Sequence, residues 1–192
     1  MDLSWNEQLR DQFDFHWGIV RPRLGRMSDE AYFFEPVGGC WSVRPRGTST
    51  APVAVGQGAM TIDYAFPEPS PPPVTTIAWR LAHITIGVLA ERNASHFGRA
   101  AVSYETWEYA PTAAGAIAQL DAEVATWSAG VAALGEEGLA RPCGPAEGPY
   151  ADHPLATLVL HINRELLHHL SEVALMLDLH THAPEGLRPT GA

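Results

Sequence analysis

The sequence predicts an all-α fold, a four-helix bundle with a long irregular connection between its first and second helices. Three observations predict it. Residues 2–24, 75–97, 112–134 and 155–179 carry apolar side chains at threes and fours, the mark of helices with one buried face. Threonine or aspartate stands where the later stretches begin, as helix starts require. Residues 37–73 have no helical period and are rich in Gly, Pro, Ser and Thr, which suits the long crossover that some bundles use.

In the first stretch Trp5, Leu9, Phe13, Trp17 and Val20 form the inward stripe, and Pro22 bends or closes the helix. His16 lies beside that stripe, either as a partly exposed histidine or as a polar group at a pocket mouth. Ser28 caps a short helix over 29–34, which Pro36 stops. Within 37–73, Gly38 and Gly39 turn the chain before Trp41-Ser42-Val43, a short hairpin fits around 53–64, and 67–73 is proline-rich. A connection this long inside a compact domain is uncommon and usually functional or mobile.

The second helix starts at Thr75 or Thr76. Its main apolar face is Ile77, Leu81, Ile84, Val88 and Leu89, with Trp79, His83, Ile86 and Ala90 as a neighbouring stripe. Thr112 caps the third helix, which buries Ile117, Leu120, Val124, Trp127 and Val131 and ends at Gly135. In the fourth, Leu155, Leu158, Ile162, Leu166, Leu170, Val173 and Leu177 face inward; Asp152 caps it and Pro154 suits its first turn. Residues 1–180 read as a single domain and 181–192 as a frayed tail, in which His180 and His182 are solvent histidines.

Composition narrows the function. The 192 residues include 12 basic and 22 acidic side chains, a net charge of −10. That balance argues against nucleic acid, where a basic face would supply most of the affinity, and against an anionic membrane surface. No apolar run is long enough for a membrane span, residues 1–20 lack a signal-peptide pattern, and two cysteines make no disulfide framework. The expectation is a cytoplasmic protein. Cys40 and Cys143 read as ordinary thiols, since neither sits in a reactive motif.

The chemistry concentrates in the fourth helix. At roughly 100° per residue, His161, Glu165 and His169 stand one above another, with Glu165 and His169 at the edge of the apolar stripe. A carboxylate there is costly unless something pairs with it. A divalent metal would, because Glu-x-x-x-His sets an oxygen and a nitrogen ligand one turn apart. The competing partners are Arg164, which points elsewhere on the helix, and Arg80, which reaches Glu165 only if the second helix is rotated. His83, alone, is a hydrogen-bonded core histidine as readily as a ligand. His161 reads as a partner that holds Glu165 from outside the metal, and His168 as a flanking side chain, exposed or at a subunit contact.

Leu81-Ala82-His83-Ile84, Glu165-Leu166-Leu167-His168-His169 and the Trp41-Ser42-Val43 that precedes the second helix resemble the DinB-like superfamily. That superfamily includes the YfiT-like proteins and mycothiol-dependent maleylpyruvate isomerase. The resemblance runs from the first helix to about Leu179 and implies a metal-binding four-helix bundle. Many members use three histidines, with His-x-x-x-His in the last helix; the isomerase branch uses His plus Glu-x-x-x-His. The resemblance therefore implies that His83, Glu165 and His169 are the metal ligands. The chain departs from many relatives in the roughly 30 residues between Ser42-Val43 and the second helix.

Three protein ligands leave a position for water or substrate, the pattern of a catalytic rather than a structural zinc site. Zinc is the expected ion, with nickel, iron, cobalt or manganese also compatible with such a donor set. The resemblance implies a thiol-dependent transferase or isomerase acting with mycothiol or a similar low-molecular-weight thiol. The alternatives are a hydrolase with metal-activated water, in which Asp152, His153 or His168 shuttles a proton, and a non-catalytic metal-binding stress protein. A small-molecule substrate and a homodimer complete the expectation. The open metal position is expected to face a cavity bounded by 37–73, with Trp41, Trp79 or His16 near its rim.

Overall fold

A computed structural model describes residues 4–182. It is mostly helical and carries one small sheet. The elements are α1 (Trp5–Leu24), α2 (Asp29–Tyr32), β1 (Val43–Pro45), β2 (Val53–Val55), β3 (Met60–Tyr64), α3 (Ile77–His83), a π-helical segment (Ile84–Ala90), α4 (Glu91–His96), α5 (Ala113–Leu139), a 3-10 turn (Pro145–Tyr150) and α6 (Leu155–His182). From residue 77 to 96, α3, the π segment and α4 follow one another without a break.

The caps are side-chain oxygens that take orphan N–H groups. Ser4 accepts from Glu7, Ser28 from Ala31, Thr76 from Trp79 and Thr112 from Gly115. The apolar stripes face one contiguous core. Leu9, Phe13, Val20, Ile77, Leu81, Ile84, Leu89, Leu120, Trp127, Leu158, Ile162, Leu166 and Leu170 all belong to it. Trp5 does not: it is 60 % exposed at the first position of the helix. Pro22 sits inside α1 and the helix closes two residues later. Arg21 on its last turn donates to Asp121 at 2.6 and 2.8 Å, tying α1 to α5.

Four features differ from the sequence reading. The all-α expectation is corrected by an antiparallel sheet of order β1-β3-β2 inside 37–73, with Val43 opposite Ile62 and Val55 opposite Ile62 on its other side. Its inner residues Val43, Met60 and Ile62 are buried, so these short strands act as part of the core and not as a free loop. At Gly135, with φ 58° and ψ −170°, the third helix breaks as glycine permits, but one more turn is added to Leu139. Glu136 on that turn accepts from the Asn6 N–H at 2.9 Å and the Ser4 hydroxyl at 2.9 Å, and so holds the start of α1. The last helix starts at Leu155, beyond Asp152 and Pro154, and continues through His182. His180 is half-buried with its ring 5.2 Å from Phe34, whereas His182 is exposed. The rest of the predicted tail lies outside the described residues.

The π segment has a local cause. Ile84, Thr85, Ile86 and Val88 crowd the helix with β-branched side chains around Gly87. Thr85 donates its hydroxyl to the Leu81 carbonyl at 2.7 Å, competing with the backbone ladder. No helix among the described residues is long and apolar enough to cross a membrane.

Candidate metal centre

The site lies where α3 meets α6. His83 ends α3 and packs its ring 4.7 Å, edge to face, from that of His169. His83 is held on three sides. Trp79 stacks on it at 5.4 Å with 20° between the planes. Tyr104, from the segment between α4 and α5, places its hydroxyl 2.7 Å from His83 Nδ1. That approach needs a glycine on the helix, since a Cβ at Gly87 would stand 2.3 Å from the Tyr104 hydroxyl. Burial, with the nearby His169, lowers the His83 pKa to about 4 against the opposing pull of Glu165 and Glu172, so the imidazole is neutral at pH 7. Burial pushes the Tyr104 phenol up, so it keeps its proton.

His169 is held from its own helix. Its Nδ1 lies 2.9 Å from Glu172 Oε2, and its Nε2 lies 3.4 Å from Glu165 Oε2. Arg80 of α3 pairs with the same Glu172 oxygen. Burial raises the Glu172 carboxyl, but the bond to His169 and the charge and hydrogen bond of Arg80 outweigh it and hold the group below its ordinary value. So Arg80 is the partner of Glu172, not of Glu165. No sequence argument had singled out Glu172, although its place three residues after His169 is a standard contact spacing on a helix.

Around Glu165, Arg164 Nη2 is 3.5 Å from Oε1 and 2.6 Å from His161 Nδ1. The expectation that Arg164 points elsewhere is corrected here: a long arginine curls back over the adjacent residue. His161 Nδ1 is also 3.5 Å from Glu165 Oε1. With Arg164 donating to it, that nitrogen accepts, and His161 reaches Glu165 through Arg164.

The predicted residues are thus only partly gathered into one cluster. Among the described residues, the group whose donor atoms all lie within 4.8 Å of one another is Glu165, His168 and His169. His83 joins through His169. His168 was expected on the flank; it is exposed, but its ring stacks at 4.7 Å on that of His169 and its Nε2 is 3.5 Å from Glu172 Oε1. Glutamate with imidazoles is a donor set that suits a divalent ion. Both His83 and His169 have Nδ1 engaged by an outside oxygen, the arrangement that fixes a ligating imidazole.

Two cavities flank these residues. One, of about 460 Å³, is lined by His83, Trp79, Trp41, Tyr64 and Tyr104 among others. The residues before β1, strand β3 and the start of α3 bring the two tryptophans together: Trp41 N–H donates to the Val74 carbonyl at 3.0 Å, Thr76 N–H donates to the Trp41 carbonyl at 2.9 Å, and Trp79 Nε1 donates to the Asp63 carbonyl at 2.9 Å. The other, of about 730 Å³, is lined by Arg92, Glu147, Tyr150, His153, His161 and Arg164. His16 borders neither; it lies in a surface groove between α1 and α6 with Trp5, Phe15, Leu160 and Leu167. Cys40 and Cys143 are buried free thiols whose pKa values burial raises.

A family profile matches residues 12–173, and its description is the DinB superfamily. The chain belongs to the DinB superfamily. The match runs from within α1 through most of α6, and takes in His83, Glu165 and His169. Comparison with curated proteins and with solved structures returned no match. Superfamily membership and the acid–histidine cluster on α6 support a divalent-metal site in this chain.

Proposed function

We propose that this DinB superfamily chain is a metal-dependent, thiol-dependent transferase or isomerase whose divalent ion is held by His83, Glu165 and His169. Residues 77–96 then count as one rod, and with α1, α5 and α6 they make a four-helix bundle over residues 1–180. The observation that carries the proposal is the pair of fixed imidazoles. Tyr104 holds His83 Nδ1 at 2.7 Å and Glu172 holds His169 Nδ1 at 2.9 Å, which leaves each Nε2 as the free donor. For that, the Nδ1 of each ring carries the proton and donates it to the outside oxygen.

When bound, a divalent ion, zinc first among the compatible metals, supplies a charge that lowers the pKa of a thiol or water. The chain supplies the rest. Trp79 and Tyr104 keep the His83 ring in plane, Arg80 neutralises Glu172, and the aromatic cavity beside His83 shields a small-molecule substrate from water. Mycothiol or a similar thiol is the expected co-substrate. A cytoplasmic setting and a homodimer go with this reading. One observation favours the hydrolase reading instead: His153 and His161 line one cavity next to Glu165, where either could carry a proton.

Purified protein assayed for metal, then screened for thiol transfer with mycothiol and for ester or amide hydrolysis, tests the reading. Thiol-dependent turnover lost on chelation is the expected result; metal-dependent hydrolysis without thiol would transfer the proposal to the hydrolase. Tyr104→Phe and Glu172→Gln are each expected to weaken zinc binding by roughly 10–100-fold, since each frees a ligand ring to turn. Competition against a chromogenic chelator measures this. Wild-type affinity in both variants would mean that the two imidazoles are not oriented for a metal.

A further inference from the structure

The cavity beside His83 has a composition that a general apolar pocket does not need. Its lining includes five aromatic side chains, Trp41, Tyr64, Phe66, Trp79 and Tyr104, and three acids, Asp63, Glu68 and Glu105, with neither arginine nor lysine. The rings form a wall. Trp41 stands 6.4 Å from Trp79 at 36° and 6.4 Å from Tyr64 at 41°. The wall is braced from behind: Trp79 Nε1 donates to the Asp63 carbonyl, and the Asp63 carboxylate, 2 % exposed, is committed to Arg44 at 2.8 Å and to the Ser42 N–H at 2.9 Å. Glu68 and Glu105 are exposed at the rim, and Phe66 is 85 % exposed with its ring open to solvent. The larger cavity differs, with Arg92 and Arg164 in its wall beside Glu147.

We propose that the cavity formed by Trp41, Trp79, Tyr64 and Tyr104 binds an organic cation, a methylated or quaternary ammonium group. An aromatic face attracts such a cation through its quadrupole, and the attraction is largest when the cation is partly desolvated. A quaternary ammonium has no N–H to satisfy, which suits a wall that presents rings rather than acceptors. Glu68 and Glu105 supply charge at the entrance, where it raises the local cation concentration without an ion pair in the cavity. Because His83 lines the same cavity, the cation is a part of the substrate if His83 holds the metal. That placement rests on the function proposed above, whereas the binding does not.

Choline is the probe, and 3,3-dimethylbutan-1-ol, its neutral analogue of the same shape, is the control. Titration of each is followed by the indole N–H resonances of 15N-labelled protein, with a Trp41→Leu variant assigning the Trp41 signal. Choline is expected to shift the Trp41 and Trp79 indoles saturably, at least ~10-fold more tightly than the neutral analogue. Trp41→Leu should weaken choline binding by about 10-fold or more. The doubly substituted Glu68→Gln, Glu105→Gln protein, altered only on its surface, should weaken it by a few-fold and remove most of its salt dependence. Equal affinity for the neutral analogue, or shifts confined to other tryptophans, overturns the proposal. Metal content measured on the same samples and on His169→Ala separates the two claims. Choline binding that persists in metal-free protein supports the cation site whatever becomes of the metal, and a metal-loaded protein that ignores choline sinks the cation site alone.

Discussion

Alanine at His169 is expected to strip the protein of its metal. His83→Ala and Glu165→Ala should do the same, because the proposed site has three protein ligands and no redundancy, each supplying a charge or lone pair the other two cannot replace. The loss should exceed the roughly 10–100-fold expected for His161→Ala, whose ring stands 3.5 Å from Glu165 and shares Arg164 with it. His180→Ala and His182→Ala should change nothing. His168→Ala is the decisive companion, since Glu165, His168 and His169 form the tighter cluster on α6. Elemental analysis after gel filtration reads each variant. A full equivalent of metal in His83→Ala, with loss in His168→Ala, would move the site onto α6 alone. Thermal unfolding of the same variants should stay cooperative, because the core residues behind the site are apolar and the metal is not needed to bury them.

Acidification is expected to destabilise the metal-free protein between pH 6.5 and pH 4. The folded His83 titrates at about 4, below its ordinary 6.5, first because it is buried and then because His169 lies against it; Glu165 and Glu172 pull the other way. The folded state therefore holds fewer protons than the unfolded chain in that window. Stability is intact above the unfolded value, falls as pH drops through the window, and flattens once both states carry the proton. The full shift corresponds to about 3 kcal/mol. Urea unfolding at a series of pH values measures it. A His83→Gln variant should lose this part of the slope while keeping the part due to other groups. A slope unchanged by His83→Gln would show that His83 is solvated and charges freely. Zinc should steepen the loss in wild type, because a protonated imidazole cannot ligate.

The sequence by itself determined the helices and the chemical density of the last one. Apolar side chains at threes and fours can be buried in only one way, so Leu9, Phe13, Leu81, Leu120, Trp127, Ile162 and Leu166 identified the inner faces before any packing was known. Caps at Ser28 and Thr112 were legible for the same reason, and the choice of Thr76 over Thr75 was left to the structure: the side chain that satisfies an orphan N–H lies within three residues of it. His161, Glu165 and His169 share a face through helix geometry alone.

Tertiary structure decided what lies between elements. The hairpin around 53–64 was legible, but the pairing of β1 with the far side of β3, which buries Val43, was not: a run of three residues among glycines and prolines carries little alternation to read. The π segment has its own local crowding, but the tyrosine that packs over Gly87 arrives from elsewhere in the chain. Glu172 was one turn from His169, yet its role follows from Arg80 on another helix. Tyr104 sits in an aperiodic segment 21 residues from His83, and no local pattern joins them. Spacing along one helix fixes which side chains share a face; the angle and depth at which α3 crosses α6 fix which nitrogen is left free to bind, and that is a property of packing between distant segments.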